Sequence, residues 1–259
     1  MKISIITGAS SGLGAEFCKR IYEQSACEQV WIIARREDRL NALKEKLGDR
    51  CRVFALDLTK SESIDAIKSA LIECGGEIDY LVNCAGYGKF GNYAQVSEKD
   101  NLGMISLNVS ALVALTQAVL PYCVKGSKII QVSSVSAFMP LQNLSVYGAS
   151  KAFVLNYSRA LRKELKKKGI FVTAVCPGWT KTEFFEVADY GTNVNRPKKL
   201  SPLATVDKVV KKAIKGANKN KAVVTIGFTW WGFRLLCKLV PKSIAMALWE
   251  TMQNNVSEE

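Results

Sequence analysis

The chain has 259 residues, a formal net charge of +13 and no histidine. That length suits one large α/β domain with a sizeable core. Eight cysteines without a Cys-x-x-Cys pair, and no histidine, argue against a zinc site; they also leave any proton transfer to tyrosine or a carboxylate. Free thiols in this number point to a reducing, cytoplasmic compartment. No signal peptide precedes the strand-like Ile3-Ser4-Ile5-Ile6. The charge is uneven: residues 1–130 hold 16 basic and 15 acidic side chains, residues 131–259 hold 20 and 8. A basic half suits an anionic ligand, an anionic membrane or nucleic acid, or only solvated helix faces. No recognition-helix or zinc motif supports nucleic acid, and that partner is set aside.

The first strand runs into Thr7-Gly8-Ala9-Ser10-Ser11-Gly12-Leu13-Gly14, and a helical pattern follows through Leu13, Phe17 and Ile21. Strand, glycine-rich turn and helix start make a phosphate cradle: glycine lets the backbone come close, and a helix N-terminus favours an anion. The spacing is Gly-x-x-x-Gly-x-Gly, without the Gly-Lys-Ser/Thr ending of a nucleoside triphosphate loop. The next apolar run, Val30 to Ala34, ends in Arg35-Arg36. In a dinucleotide fold this strand end meets the adenosine ribose, where a carboxylate binds the 2′-hydroxyl of NAD. Two guanidinium groups suit a 2′-phosphate instead, so NADP(H) is favoured over NAD(H). The plain alternative pairs Arg36 and Arg39 with Glu37 and Asp38 along a helix.

A second helix through Leu40, Leu43 and Leu47 stops at Gly48. A third strand spans Cys51 to Leu56 and precedes Asp57-Leu58; a third helix spans Ser61 to Cys74; a fourth strand, Ile78 to Val82, ends in Asn83-Cys84-Ala85-Gly86. A long helical pattern over residues 102–123 places Asn108 among apolar neighbours, and a buried asparagine needs partners. A fifth strand, Ser127 to Val132, ends in Ser133-Ser134, at the sheet edge where open α/β folds bind ligands. Alternation of strand and helix predicts a Rossmann-like doubly wound parallel sheet of about seven strands, flanked by helices.

Next comes Ser145-Val146-Tyr147-Gly148-Ala149-Ser150-Lys151. On a helix, Tyr147 and Lys151 lie one turn apart on one face. A neighbouring cation favours the phenolate; bringing a tyrosine from about 10 to about 7 needs roughly 4 kcal/mol. On spacing alone such a pair is more often surface decoration.

The segments 7–14, Asp57, 83–86, Asn108, Ser134, 147–151 and 177–182 (PGWTKT) keep an order and spacing that resemble the short-chain dehydrogenase/reductase family over nearly the whole chain. The resemblance implies that Ser134 hydrogen-bonds the substrate oxygen and that Tyr147 is the general acid/base. It implies that Lys151 lowers the tyrosine pKa and holds the nicotinamide ribose, while Asn108 supports a water leading to Lys151. The cofactor residues it implies are Gly8, Ser10, Ser11, Gly12, Leu13, Gly14, Arg35, Arg36, Asp57, Leu58, Asn83, Ala85, Gly86, Tyr147, Lys151, Pro177, Gly178, Thr180 and Thr182. Asp57 would contact the adenine and Thr182 the carboxamide. Cys84 stands where the family often has asparagine. A homodimer or homotetramer through the helices at 102–123 and 145–168 follows by analogy.

After Lys151 the helix ends at Lys166-Lys167-Lys168-Gly169, and a sixth strand spans Ile170 to Val175. Residues 183–202, including Tyr190 and a polar run to Pro202, are the expected substrate loop. With Tyr87, Phe90, Ser136, Phe138, Trp179, Phe184 and Phe185 they imply a wide, largely apolar pocket. A helix around Val206 to Ile214 leads to a seventh strand, Ala222 to Ile226. The catalytic and cofactor domain is thus expected over 1–227, and 228–259 is a C-terminal helical extension. Its first part interleaves tryptophans and leucines with cations and is too short and charged to span a bilayer. It covers the pocket, makes a subunit contact or lies at the periphery of a membrane. The expected activity is NADP(H)-dependent interconversion of a carbonyl and a secondary alcohol on a hydrophobic small molecule: a steroid, a fatty acyl chain or an aromatic ketone. A non-enzymatic dinucleotide sensor on the same fold is the alternative.

Overall fold

The computed structural model describes residues 1–188 and 203–254, without the side chains of residues 248, 249 and 251–254. Most of the expected substrate loop, Tyr190 included, and residues 255–259 lie outside the described residues. The strands are β1 Lys2–Thr7, β2 Gln29–Ala34, β3 Cys51–Ala55, β4 Glu77–Asn83, β5 Cys123–Val132, β6 Phe171–Cys176 and β7 Val223–Thr225. They form one parallel sheet in the order β3-β2-β1-β4-β5-β6-β7. The chain winds outward from β1 to β3, then restarts at β4 on the other side. The carboxyl ends of β1 and β4 therefore flank the crevice where crossovers part to opposite directions.

The helices are α1 Gly12–Gln24, α2 Glu37–Leu47, α3 Ser61–Cys74, α4 Glu98–Ile105, α5 Leu112–Val119, α6 Ser145–Leu165, α7 Phe184–Ala188, α8 Val206–Asn218, α9 Phe228–Leu239 and α10 Lys242–Asn254. Strand side chains alternate between faces. Ile6, Val30, Ile32, Val82 and Val175 pack against α1 and α8, through Phe17, Ile21, Val209 and Val210. Ile3, Ile5, Ile33, Leu81 and Val172 pack on the opposite face against α3, α5 and α6, through Ile67, Leu71, Leu115 and Leu161. Burial on both faces explains the continuous apolar runs.

Two expected elements differ in detail. The fifth strand begins at Cys123, not Ser127, because a bulge carries the chain from the Ile78–Cys123 pair to the Tyr80–Lys128 pair. Ser127 pins it, its Oγ donating to Ile78 O and accepting from Val124 N. The predicted helix over 102–123 starts at Glu98, where Ser97 caps it, and opens into a π-helical stretch over Ser106–Ala111 before α5. By length and composition Glu98–Tyr122 is apolar enough to cross a bilayer. Here Met104, Ala111, Leu112, Leu115 and Val119 are buried in the protein.

The crevice is braced by a buried polar cluster. Thr116 Oγ1 on α5 accepts from Asn83 Nδ2 at 2.9 Å and Gln131 Nε2 at 3.1 Å, while Asn83 also donates to Gln131 Oε1 at 2.9 Å. Thr116→Val keeps the shape but removes the shared acceptor. Leaving buried amides short of a partner should cost about 2 kcal/mol; an unchanged urea midpoint would show that the cluster contributes nothing.

Candidate active site

The glycine-rich turn is built by close approach. A Cβ on Gly14 would stand 2.0 Å from Gly8 O, so α1 can begin only if residue 14 lacks a side chain. Gly8 has φ +69, and a Cβ there would reach the backbone of Ala85 at 3.0 Å. Thr7 Oγ1 accepts from both Cys84 N and Ala85 N at 3.0 Å, tying the two central strand ends together. Ser11, the residue before α1, makes no side-chain cap, and the first turn carries no acid. The amides there suit an anion. Asp57 Oδ1 accepts from the amide and hydroxyl of Thr59. Burial opposes its ionisation, but these bonds and nearby Arg35 hold its carboxyl below the usual range. The cradle fits a dinucleotide.

At the end of β5, Ser134 precedes a short 3₁₀ turn, Val135–Ala137, and its hydroxyl accepts from Ser136 N at 3.2 Å. The same hydroxyl hydrogen-bonds the phenol of Tyr147. One turn along α6, buried Lys151 donates from Nζ to Val132 O at 3.0 Å, and its Nζ lies 5.8 Å from the centre of the Tyr147 ring. Ser133 Oγ donates to Lys151 O at 2.7 Å and locks α6 to the strand end. Serine, phenol and ammonium thus converge over the carboxyl edge of the sheet.

Burial, which the spacing of Tyr147 and Lys151 does not reveal, dominates the electrostatics of both groups. Burial pushes the Tyr147 phenol up to about 12, against the Ser134 hydrogen bond. Tyr147 is half-buried and lines the site cavity. The same burial lowers Lys151 to about 8. Desolvation penalises each charged form and is the largest cause of both shifts. At neutral pH the pair is a neutral phenol beside an ammonium.

A cavity of about 820 Å³ runs from the glycine turn past these groups. Every residue nominated for the cofactor lines it except Asn83; of Tyr87, Phe90, Ser136, Phe138, Trp179, Phe184 and Phe185, all line it except Phe138. Asn83 spends its side chain on the Thr116–Gln131 cluster. Phe138 sits behind the wall, 6.5 Å from Phe233. Asn108 is 1 % exposed and also lies behind the wall. It accepts from Tyr87 N at 3.0 Å and donates to Tyr87 O at 2.9 Å and Ser150 Oγ at 3.1 Å. A Cβ on Gly86 would meet Asn108 Oδ1 at 2.8 Å and Lys151 Nζ at 3.2 Å, so the amide and the ammonium flank one backbone position.

Leu141 and Leu144, which the sequence did not single out, also line the cavity, as do Trp230 and Phe233 of the C-terminal extension. Of these, Trp230 and Phe233 share the inward face of α9, so one side of the extension covers the pocket. The indole fills the space beside Gly178, where a Cβ would stand 2.1 Å from Nε1. Their three-residue spacing was the available signal. Glu183, the first residue of the expected substrate loop, had no role assigned. Its carboxylate bridges Arg36 NH1 at 3.0 Å and Arg39 NH1 at 2.5 Å, in place of the alternative pairing of these arginines with Glu37 and Asp38.

The family model for short chain dehydrogenase matches residues 2–191. An uncharacterized oxidoreductase of Staphylococcus epidermidis is 34 % identical over 227 residues, 87 % of this chain and 96 % of the relative. Among solved structures, a short-chain dehydrogenase from Sphingobium yanoikuyae in complex with NADPH is 30 % identical with a TM-score of 0.76, over 100 % of this chain and 96 % of that one. A bulky-bulky ketone specific alcohol dehydrogenase from Comamonas testosteroni is 26 % identical with a TM-score of 0.71, over 100 % and 95 %. The chain belongs to the short-chain dehydrogenase/reductase family, NAD(P)-dependent oxidoreductases that interconvert CH–OH and C=O.

Proposed function

We propose that the protein reduces hydrophobic ketones with NADPH, with Tyr147 as the proton donor. The observation that carries this reading is the Ser134–Tyr147–Lys151 constellation opening into an aromatic cavity walled by Phe90, Trp179, Phe184 and Phe233. The substrate wall offers area for steroid, fatty-acyl or aromatic ketones. Arg35 and Arg36 at the β2 end favour the 2′-phosphorylated cofactor, and the NADPH complex of the Sphingobium relative supports that preference.

Ser134 and Tyr147 direct their hydroxyls at one oxygen of the substrate, polarising the carbonyl. When bound, the cofactor supplies the hydride. As negative charge grows on the oxygen, the Tyr147 O–H moves its proton there, and the Lys151 ammonium stabilises the phenolate left behind. A tyrosine pushed up to about 12 carries its proton at neutral pH, as a donor in the reduction direction must. Asn108 acts from behind the wall, fixing the Tyr87 backbone and Ser150 on α6.

The eight free cysteines support a cytoplasmic location. Exposed Leu102, Ile105 and Phe153 on α4 and α6 support a homodimer or homotetramer through that face, which light scattering would size. The outer face of α9 supports peripheral contact with an anionic bilayer. Phe228, Trp231, Leu235 and Leu239 are 84, 50, 42 and 75 % exposed. At about 100° per residue they fall on one stripe, opposite Trp230 and Phe233. Arg234 and Lys238 in α9 and Lys242 at the start of α10 add cations to this segment, and an apolar stripe beside cations binds anionic headgroups.

Three outcomes are expected. Tyr147→Phe should lower kcat on a ketone panel by about a thousandfold while NADPH still quenches tryptophan fluorescence; near-normal turnover would sink the assignment. The Lys151 ammonium is present below about pH 8 and lost above it. Reduction should therefore hold steady near neutrality and fall as pH rises through about 8. A rate that climbs there would show that the charged lysine is not needed. Finally, the full chain should sediment with phosphatidylglycerol-containing vesicles but not phosphatidylcholine alone; Trp231→Glu with Leu239→Glu should abolish this. No sedimentation of the unmodified chain, or an oligomer that falls apart in the variant without lipid, would assign the stripe elsewhere.

A further inference from the structure

We infer that Glu183 competes with a 2′-phosphate for Arg36 and Arg39, so that filling the ribose end of the cofactor cradle releases the segment carrying Phe184 and Phe185. The inference rests on the NADP(H) reading and adds a residue that the cofactor preference did not require.

Arg36 stands between two partners. Its Nε and NH2 donate to Ser10 Oγ at 3.2 and 3.0 Å, and its NH1 donates to Glu183 Oε2 at 3.0 Å. Arg39 NH1 donates to the other carboxylate oxygen at 2.5 Å. One carboxylate therefore spans both guanidinium groups from a position 144 residues away along the chain. Ser10 belongs to the glycine-rich turn, so this contact joins the cofactor cradle to the substrate wall. Phe184, the next residue, lies 5.4 Å from the Tyr147 ring and 6.4 Å from Phe90, and Phe185 lies 5.9 Å from Trp179. Glu183 O also accepts from Val187 N at 3.1 Å, so the same residue starts the short helix α7.

The competition has a definite winner. The side chains of Arg36, Arg39 and Glu183 are 41, 43 and 37 % exposed, and open ion pairs of this kind are weak. A phosphate monoester carries nearly twice the charge of a carboxylate and three acceptor oxygens, and two guanidinium groups match it well. A 2′-phosphate at Arg36 and Arg39 therefore takes the donors that Glu183 holds. The exchange is reciprocal: whatever pulls Glu183 away raises affinity for the phosphate by the same factor.

Calorimetry on the full chain with adenosine 2′,5′-bisphosphate and with 5′-AMP isolates the 2′-phosphate without any turnover. Glu183→Gln should bind the bisphosphate about fivefold tighter and 5′-AMP unchanged. Hydrogen exchange at the Val187 amide provides the second readout. In the unmodified chain the bisphosphate, but not 5′-AMP, should speed that exchange; in Glu183→Gln it should be fast from the outset. Equal or weaker bisphosphate binding in the variant overturns the proposal and leaves the NADP(H) reading intact. Tighter binding with Val187 exchange unmoved in the unmodified chain also overturns it, because Glu183 would then act only as a nearby charge. If the unmodified chain binds both nucleotides equally, the cofactor reading fails and the competition with it.

Discussion

The arrangement depends on one buried cation. Lys151 is 5 % exposed, with its ammonium against the Val132 carbonyl at the end of β5. Burying a lysine is costly, and such groups are retained where charge is needed close to other groups. Its position requires α6 to pass directly over that strand end, which the Ser133–Lys151 bond secures. It requires Gly86 to leave room, because a side chain there would run into Nζ and Asn108. Tyr147 follows one turn back on the helix, and Ser134 one residue past Ser133. The reactive geometry is thus a consequence of seating one ammonium over a parallel sheet.

Around it, a second tier of polar groups works out of sight of the cavity. Asn83 and Asn108 both resemble ligand residues, yet each gives its side chain to neighbours inside the protein. Asn83 bridges β4 to β5 and α5, while Asn108 sits in a π-helical stretch and braces Tyr87 and α6. π-Helical turns are costly and tend to mark functional positions; here the stretch carries the asparagine that meets the Tyr87 backbone. These residues shape the site by holding its walls.

The chain beyond the family match contributes as well. The matched segment ends at residue 191, but Trp230 and Phe233 come back over Gly178 to close the pocket. The same helix is two-faced, with an aromatic cavity wall inside and an exposed apolar stripe beside Lys238 outside.

The sequence by itself determined the strand order class, the glycine turn, the arginines at the β2 end and the spacing that unites Ser134, Tyr147 and Lys151. These are local patterns: two-face burial writes continuous apolar runs, tight turns demand glycine, and one helical turn separates residues four apart. Tertiary structure decided what depends on distant partners. Only packing shows that Glu183 reaches Arg36 and Arg39, that Trp230 needs Gly178, and that Asn83 and Phe138 face away from the cavity. Only burial could decide the sign of the tyrosine shift. From sequence a neighbouring lysine suggests a lowered pKa, but in the fold desolvation is the largest influence on both groups and raises the phenol.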